Sequence, residues 1–310
     1  MKRVAFFVEP EWAYGVIHYD LTKWLHRHDV RAFVMPWNRQ YTIQEVQELS
    51  DHIDFFVSSP AGLEALCIHH YQIQPEQCIV VCHSREDIEY FYKLPKEFRD
   101  RVARYGAVSD WVKHEWRPYI AEEEKAAGID SAQGRKIFLC TLGIDYWSFH
   151  SPVRERLENI GYAGAYKVAH NAHIKRAYLV DEVALKTGLE LKVAIQYHNL
   201  FSTMQGYYPK IGAVVICSTH EGAGLPLMEA AAAGCLVLST PVGHWERGGL
   251  EGAIELPIDE AQLVERCTEA ISYYRNNPKE YRLRCQQMQD HAKQYDWSNG
   301  HLNSWIDLIK

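Results

Sequence analysis

The chain has 310 residues, enough for two domains at about 150 residues apiece. Hydrophobic content of 47% with 24% charged residues is that of an ordinary globular protein and excludes disordered or collagen-like chains. A net charge of −7, from 33 Lys and Arg against 40 Asp and Glu, argues against a dedicated nucleic-acid or anionic-membrane binder.

In chain order, strands are predicted at Val4–Val8, Ala32–Met35, Asp54–Val57, Cys78–Cys82, Ala103–Val108 and Lys136–Leu139. Helices fall between them at Ile17–His26, Thr42–Leu49, Ala61–His70, Arg85–Lys93 and Trp111–Trp116. Short apolar strands without strict alternation suit a parallel sheet covered on both faces. The first half therefore reads as one doubly wound α/β domain. After Gly143–Asp145, Ser151-Pro152 and the charged stretch Arg154–Glu158, the pattern restarts. Strands are expected at Asn159–Ala163, Leu191–Ile195, Ala213–Cys217, Leu236–Ser239 and Ala253–Leu256. Helices are expected at Ile174–Thr187, Glu260–Arg275, Pro278–Tyr295 and Asn299–Ile309. Two α/β halves joined near residue 150 imply an intervening cleft for a ligand.

The longest small-or-apolar stretch, Ala230–Leu238, is about half a membrane span, and Glu9 comes too early for a signal-peptide core. A cytoplasmic location with no stable span is expected. Of eight cysteines, Cys78 and Cys82 are closest and no Cys-x-x-Cys occurs. This pattern argues against structural zinc and a disulfide framework.

The most informative stretch runs from Val214 to Gly234. A strand ending near Ser218 leads into a loop with Gly222 and Gly224, then into a helix with Pro226 at its start and Gly234 at its C-cap. Free N–H groups at such a helix start, together with the helix dipole, make a ready phosphate site. Glu221 lies at the strand end and Glu229, eight positions later, is placed in the first helical turn. An ionised carboxylate only accepts hydrogen bonds, so it suits vicinal hydroxyls of a sugar or ribose. The same residues also serve an ordinary strand–turn–helix connection, where an early Glu stabilises the helix.

Glu221 to Glu229 resembles the Glu-x7-Glu signature of retaining glycosyltransferases of GT-B architecture, of the glycosyltransferase family four or glycogen-synthase-like type. Further segments resemble that family in its order. Val108-Ser109-Asp110-Trp111-Val112-Lys113 is similar to its Ser-x3-Lys helix start, and Leu142-Gly143-Ile144-Asp145-Tyr146-Trp147-Ser148-Phe149 to its interdomain crossing. Pro241-Val242-Gly243-His244-Trp245-Glu246 resembles its Gly-Gly-x-x-Glu turn, and Tyr295-Asp296-Trp297-Ser298 its C-terminal Phe-Ser-Trp.

The resemblance implies two Rossmann-like domains facing a cleft, an acceptor-binding one over 1–148 and a nucleotide-sugar-binding one over 149–290. It further implies a terminal helix over 291–310 packing back toward the first. Glu221 would hold donor-sugar hydroxyls and Glu229 the ribose, with the N–H groups of Gly222, Ala223, Gly224 and Leu225 facing the sugar and diphosphate. Lys175 and Arg176 resemble the basic diphosphate contact. The family's other Arg is replaced in Gly164-Ala165, with Lys167 as a further basic candidate. His83, after the strand Cys78–Cys82, resembles the active-site His, and Gly15, in the loop after the first strand, would lie near the diphosphate. No Asp-x-Asp occurs, which fits catalysis with no metal and no cofactor beyond the nucleoside-diphosphate sugar. Absence of a P-loop motif and of an early Gly-x-Gly-x-x-Gly argues against P-loop and dehydrogenase chemistry.

The function implied is a metal-independent retaining glycosyltransferase (hexosyltransferase) acting on a hydroxyl of a carbohydrate, a small molecule or a modified nucleic acid. Two alternatives stay open: a nucleotide-sugar 2-epimerase of the same architecture, and a non-catalytic nucleotide- or glycan-binding module.

Overall fold

The computed structural model describes residues 1–9, 13–126, 128, 136–166, 172–195, 201–243 and 249–310, with backbone alone for 13–16, 201 and 202. It divides into two units, Met1–Gly143 with Gly300–Lys310, and Ile144–Asn299. The chain thus passes between units at Gly143 and returns at Gly300, whereas the sequence reading placed these points at 148 and 290.

The first unit holds six parallel strands: β1 (Lys2–Val8), β2 (Val30–Pro36), β3 (Phe55–Ser58), β4 (Cys78–Cys82), β5 (Arg104–Ala107) and β6 (Ile137–Leu139). Their order is β2-β1-β3-β4-β5-β6. Every residue of β4 is buried, as is Val4–Val8 of β1, because helices cover both faces and leave no wet side to demand alternation. The last helix, Leu302–Ile309, belongs to this unit. Its Trp305 is fully buried and donates Nε1–H to the Thr141 carbonyl at 3.1 Å, while Ser304 Oγ accepts from the Thr141 N–H at 3.0 Å.

The second unit holds five parallel strands: β7 (Asn159–Gly164), β8 (Glu190–Ile195), β9 (Ala213–Ile216), β10 (Leu236–Ser239) and β11 (Ile254–Glu255). Their order is β11-β10-β9-β7-β8. In both sheets the winding reverses beside the first strand, between β1 and β3 and between β7 and β9. Ligands of open parallel sheets bind at the C-terminal ends of the strands at such reversals. Two motifs distant in sequence meet in this unit: Ile144 bridges to Asp296, and the Asp296 carboxylate accepts the Tyr146 N–H at 3.1 Å.

Three local expectations are corrected. The stretch predicted as one helix over Ile174–Thr187 is two, Ala172–Lys175 and Ala177–Thr187, because Arg176 adopts a left-handed backbone with φ 49°. Gly15 lies inside the first helix, Ala13–Leu25, rather than in a loop. A glycine costs a helix little in its first turn, where N–H groups lack intrahelical partners anyway. Glu229 is the fifth residue of the helix Leu225–Ala232, in its second turn, because Gly224 and not an earlier residue is the N-cap. Among the described residues no helix is long and apolar enough to cross a membrane.

Candidate functional site

The site of the second unit forms at its reversal point. The β9 strand ends at Ile216, and residues 217–224 carry the chain to the helix Leu225–Ala232. The neighbouring segment after β7 delivers Lys175. One backbone bond ties the two connections together, from the Thr219 N–H to the Ile174 carbonyl at 2.9 Å. Beside it, Lys175 Nζ lies 2.6 Å from both carboxylate oxygens of Glu221. Ser218 Oγ donates to Glu221 Oε1 at 2.6 Å, and the Ser218 carbonyl in turn accepts from Thr240 Oγ1 at 2.6 Å. Glu221 is thus oriented from two sides while still partly open to solvent.

Arg176 takes a different direction from its neighbour. It is 4% exposed, with Nε donating to the Cys217 carbonyl at 2.7 Å and Nη1 to the Ile258 carbonyl at 2.6 Å. Its Nη2 is buried with no hydrogen-bond partner among the described residues. Left-handed backbone costs a non-glycine residue roughly 1–2 kcal/mol, and two charge-assisted bonds at about 1.5–3 kcal/mol each offset that cost. The break it makes in the helix separates the direction of Lys175 from that of Arg176. Burial pushes the adjacent Cys217 thiol up to about 12, so it stays protonated beside the site.

The loop itself is shaped by glycines. Gly224 caps the helix with φ 72°. Gly243, at φ 63°, passes so close that an added Cβ would stand 2.4 Å from the Ala223 carbonyl oxygen and 2.9 Å from the Gly224 nitrogen. The turn after β10 therefore braces the loop after β9, backbone against backbone. No acceptor for the N–H groups of Gly222, Ala223, Gly224 or Leu225 occurs among the described residues. Aimed from a helix start, such groups suit phosphate oxygens.

Glu229 is 5% exposed, and its Oε2 accepts the Tyr208 hydroxyl at 2.8 Å. Burial and the Glu229 charge raise the Tyr208 hydroxyl well above its ordinary range, so it remains a donor.

His83 and Gly15 belong to the first unit. His83 follows the C-terminal end of β4, and its N–H donates to the Asp87 carboxylate at 2.7 Å. Asp87 N–H donates to Ser84 Oγ, which fixes the start of the helix Arg85–Phe91. The His83 ring centroid is 6.1 Å from that of His18, which packs 4.7 Å from Phe6 and 5.6 Å from Trp305. Burial, and secondarily His18, hold the His83 imidazole well below its ordinary value, so it is neutral at pH 7. Ser109 caps the helix Asp110–Ala126 as its motif suggests, accepting the Val112 N–H at 3.2 Å. Lys167 and the His244-Trp245-Glu246 part of the turn lie outside the described residues.

The structure therefore brings together Lys175, Glu221 and the Gly222–Leu225 loop, and gives Glu229 a buried partner. Ser218, Tyr208 and Thr240 were missed by sequence reasoning. A hydroxyl at the end of β9 was a usable signal for Ser218, whereas nothing in the sequence links Tyr208 to Glu229 across 21 positions.

No family model matches the sequence, and no curated protein matches it either. Solved structures do match over nearly the whole chain. An α-glucosyltransferase solved with UDP-glucose and DNA containing an abasic site aligns at TM-score 0.71 and 12% identity, covering 99% of each chain. HepE of Anabaena, solved with UDP and glucose, aligns at 0.64 and 12%, covering 99% of this chain and 100% of that one. A glycosyltransferase from Rickettsia africae aligns at 0.59 and 13%, covering 100% and 98%. The fold is the GT-B fold of two parallel-sheet α/β domains that these glycosyltransferases share.

Proposed function

We propose that the protein transfers a sugar from a nucleoside-diphosphate sugar to a hydroxyl acceptor, with retention of anomeric configuration and without a metal ion. The observation that carries this reading is the pairing of Lys175 with Glu221 beside a loop whose Gly222–Leu225 N–H groups have no acceptor among the described residues. Lys175 and the loop amides receive the diphosphate and stabilise the charge that grows on it as the glycosidic bond breaks. Glu221 accepts hydrogen bonds from sugar hydroxyls, and Glu229, oriented by Tyr208, accepts from the ribose. Arg176 supports Lys175 from behind by holding the end of β9. His83 is neutral, so its imidazole can both donate and accept a hydrogen bond. The absence of Asp-x-Asp supports metal independence. UDP-glucose and UDP in solved chains of the same fold make uridine donors the first to try, and a DNA-bound one puts modified nucleic acid among the acceptors to test.

Incubation with a panel of nucleoside-diphosphate sugars tests the reading. Slow release of nucleoside diphosphate with a sugar of unchanged anomeric configuration is expected, at the same rate in chelator. An epimerised sugar, or saturable binding without turnover, overturns it. In calorimetry, Glu229→Ala should lose nucleotide affinity; unchanged affinity removes the ribose role.

A further inference from the structure

All eight cysteines are described, and seven are buried; Cys67 alone is partly exposed. It lies in the π-turn Ala65–His69, followed by exposed Ile68, His69 and His70. Its Sγ stands 3.5 Å from Sγ of Cys78, the first residue of β4. We propose that Cys67 and Cys78 form a peroxide-reactive dithiol, a modification site that closes to an intramolecular disulfide. An oxidant in solution meets one partly exposed cysteine, and a second, buried thiol is already in contact with its sulfur.

The sulfurs must approach from 3.5 Å to about 2.05 Å. Cys78 is fixed in the sheet between β3 and β5, so the exposed turn carrying Cys67 makes the move. The turn ends near Gln72, itself left-handed at φ 57°, before Ile73 packs back into the core. In the reaction, the Cys67 thiolate attacks one peroxide oxygen and the O–O bond breaks. Sulfenic acid remains on Cys67, and the departing hydroxide takes a proton to become water. Cys78 sulfur then displaces hydroxide from the Cys67 sulfur as its own proton leaves, forming the S–S bond and a second water. Two electrons pass from the thiol pair to peroxide. The contact with Cys67, together with burial, raises the Cys78 thiol well above its ordinary value, which gives Cys67 the first step and Cys78 the second.

The test treats the folded protein with a small excess of hydrogen peroxide. Thiols titrated in denaturant should fall from eight by two, and dithiothreitol should restore them. A non-reduced digest should contain one new species joining the Cys67 and Cys78 peptides, lighter by two hydrogens than their sum. In Cys78→Ala the reaction should stop at a sulfenic acid on Cys67, trapped by dimedone. If that buried substitution does not fold, Cys67→Ser should keep all its remaining thiols through the same treatment. Sulfinic acid on Cys67 with Cys78 still reduced, a disulfide between two copies, or loss of thiols elsewhere overturns the proposal.

Discussion

Lys175 Nζ stands 2.6 Å from each carboxylate oxygen of Glu221, so the cation and the anion of the candidate site neutralise one another. On the proposed function, a nucleoside-diphosphate sugar would offer each a replacement: phosphate oxygens for the lysine and hydroxyls for the glutamate. A diphosphate lacking its sugar would offer only the first.

Glu221→Gln should therefore separate binding from turnover. With Lys175 released, the free nucleoside diphosphate should bind about 3- to 10-fold more tightly, a gain of roughly 1 kcal/mol. Transfer should fall by about 100-fold or more, since the sugar loses a charged acceptor. Calorimetry with UDP and an activity assay on the same preparation check both halves; weaker UDP binding would sink the exchange.

Tyr208→Phe removes one donor from the buried Glu229 carboxylate. Leaving a buried acceptor underserved costs about 1–3 kcal/mol, so the urea midpoint should drop with little change in slope. Nucleotide affinity should also weaken several-fold as Glu229 loses its fixed orientation. A stability loss without an affinity loss would confine Tyr208 to packing.

Gly243→Ala should be far worse than Gly188→Ala. Both positions are left-handed, at φ 63° and 65°, so each substitution costs roughly 1–2 kcal/mol of backbone strain. At Gly188 the new methyl meets nothing within 4 Å. At Gly243 it would stand 2.4 Å from the Ala223 carbonyl oxygen, so the Gly222–Leu225 loop must move. Thermal melts of the two variants, with and without UDP, should show UDP stabilisation surviving only in Gly188→Ala.

Stability should also fall as the solution is acidified through about pH 6.5. The folded state keeps His83 neutral by burial while the unfolded chain protonates it near its ordinary value. Between those values the unfolded state binds the extra proton, so unfolding becomes easier by at most about 1.4 kcal/mol per pH unit. Above pH 6.5 this contribution is flat. Denaturation series from pH 8 to pH 5 on the parent and on His83→Asn should show a shallower acid limb in the variant.

Much of this architecture was written in local pattern. The bounds of β4 and β10 agree with the predicted Cys78–Cys82 and Leu236–Ser239, because a short apolar run has one comfortable state in a sheet covered on both faces. The glycine loop before Leu225 and the helix start after Ser109 were legible for the same reason: each is settled by neighbours within a few positions. Arg176 was not. Arginine ordinarily favours helix, and its left-handed backbone follows from carbonyls at Cys217 and Ile258 that come near only when β9 and the segment after β11 are in place. The pairing of Lys175 with Glu221 spans 46 positions, and that of Tyr208 with Glu229 spans 21. Short-range propensity chose the strands, turns and caps. Which charges meet, and which are buried, was chosen by sheet order, since parallel strands bring together connections that the chain itself keeps far apart.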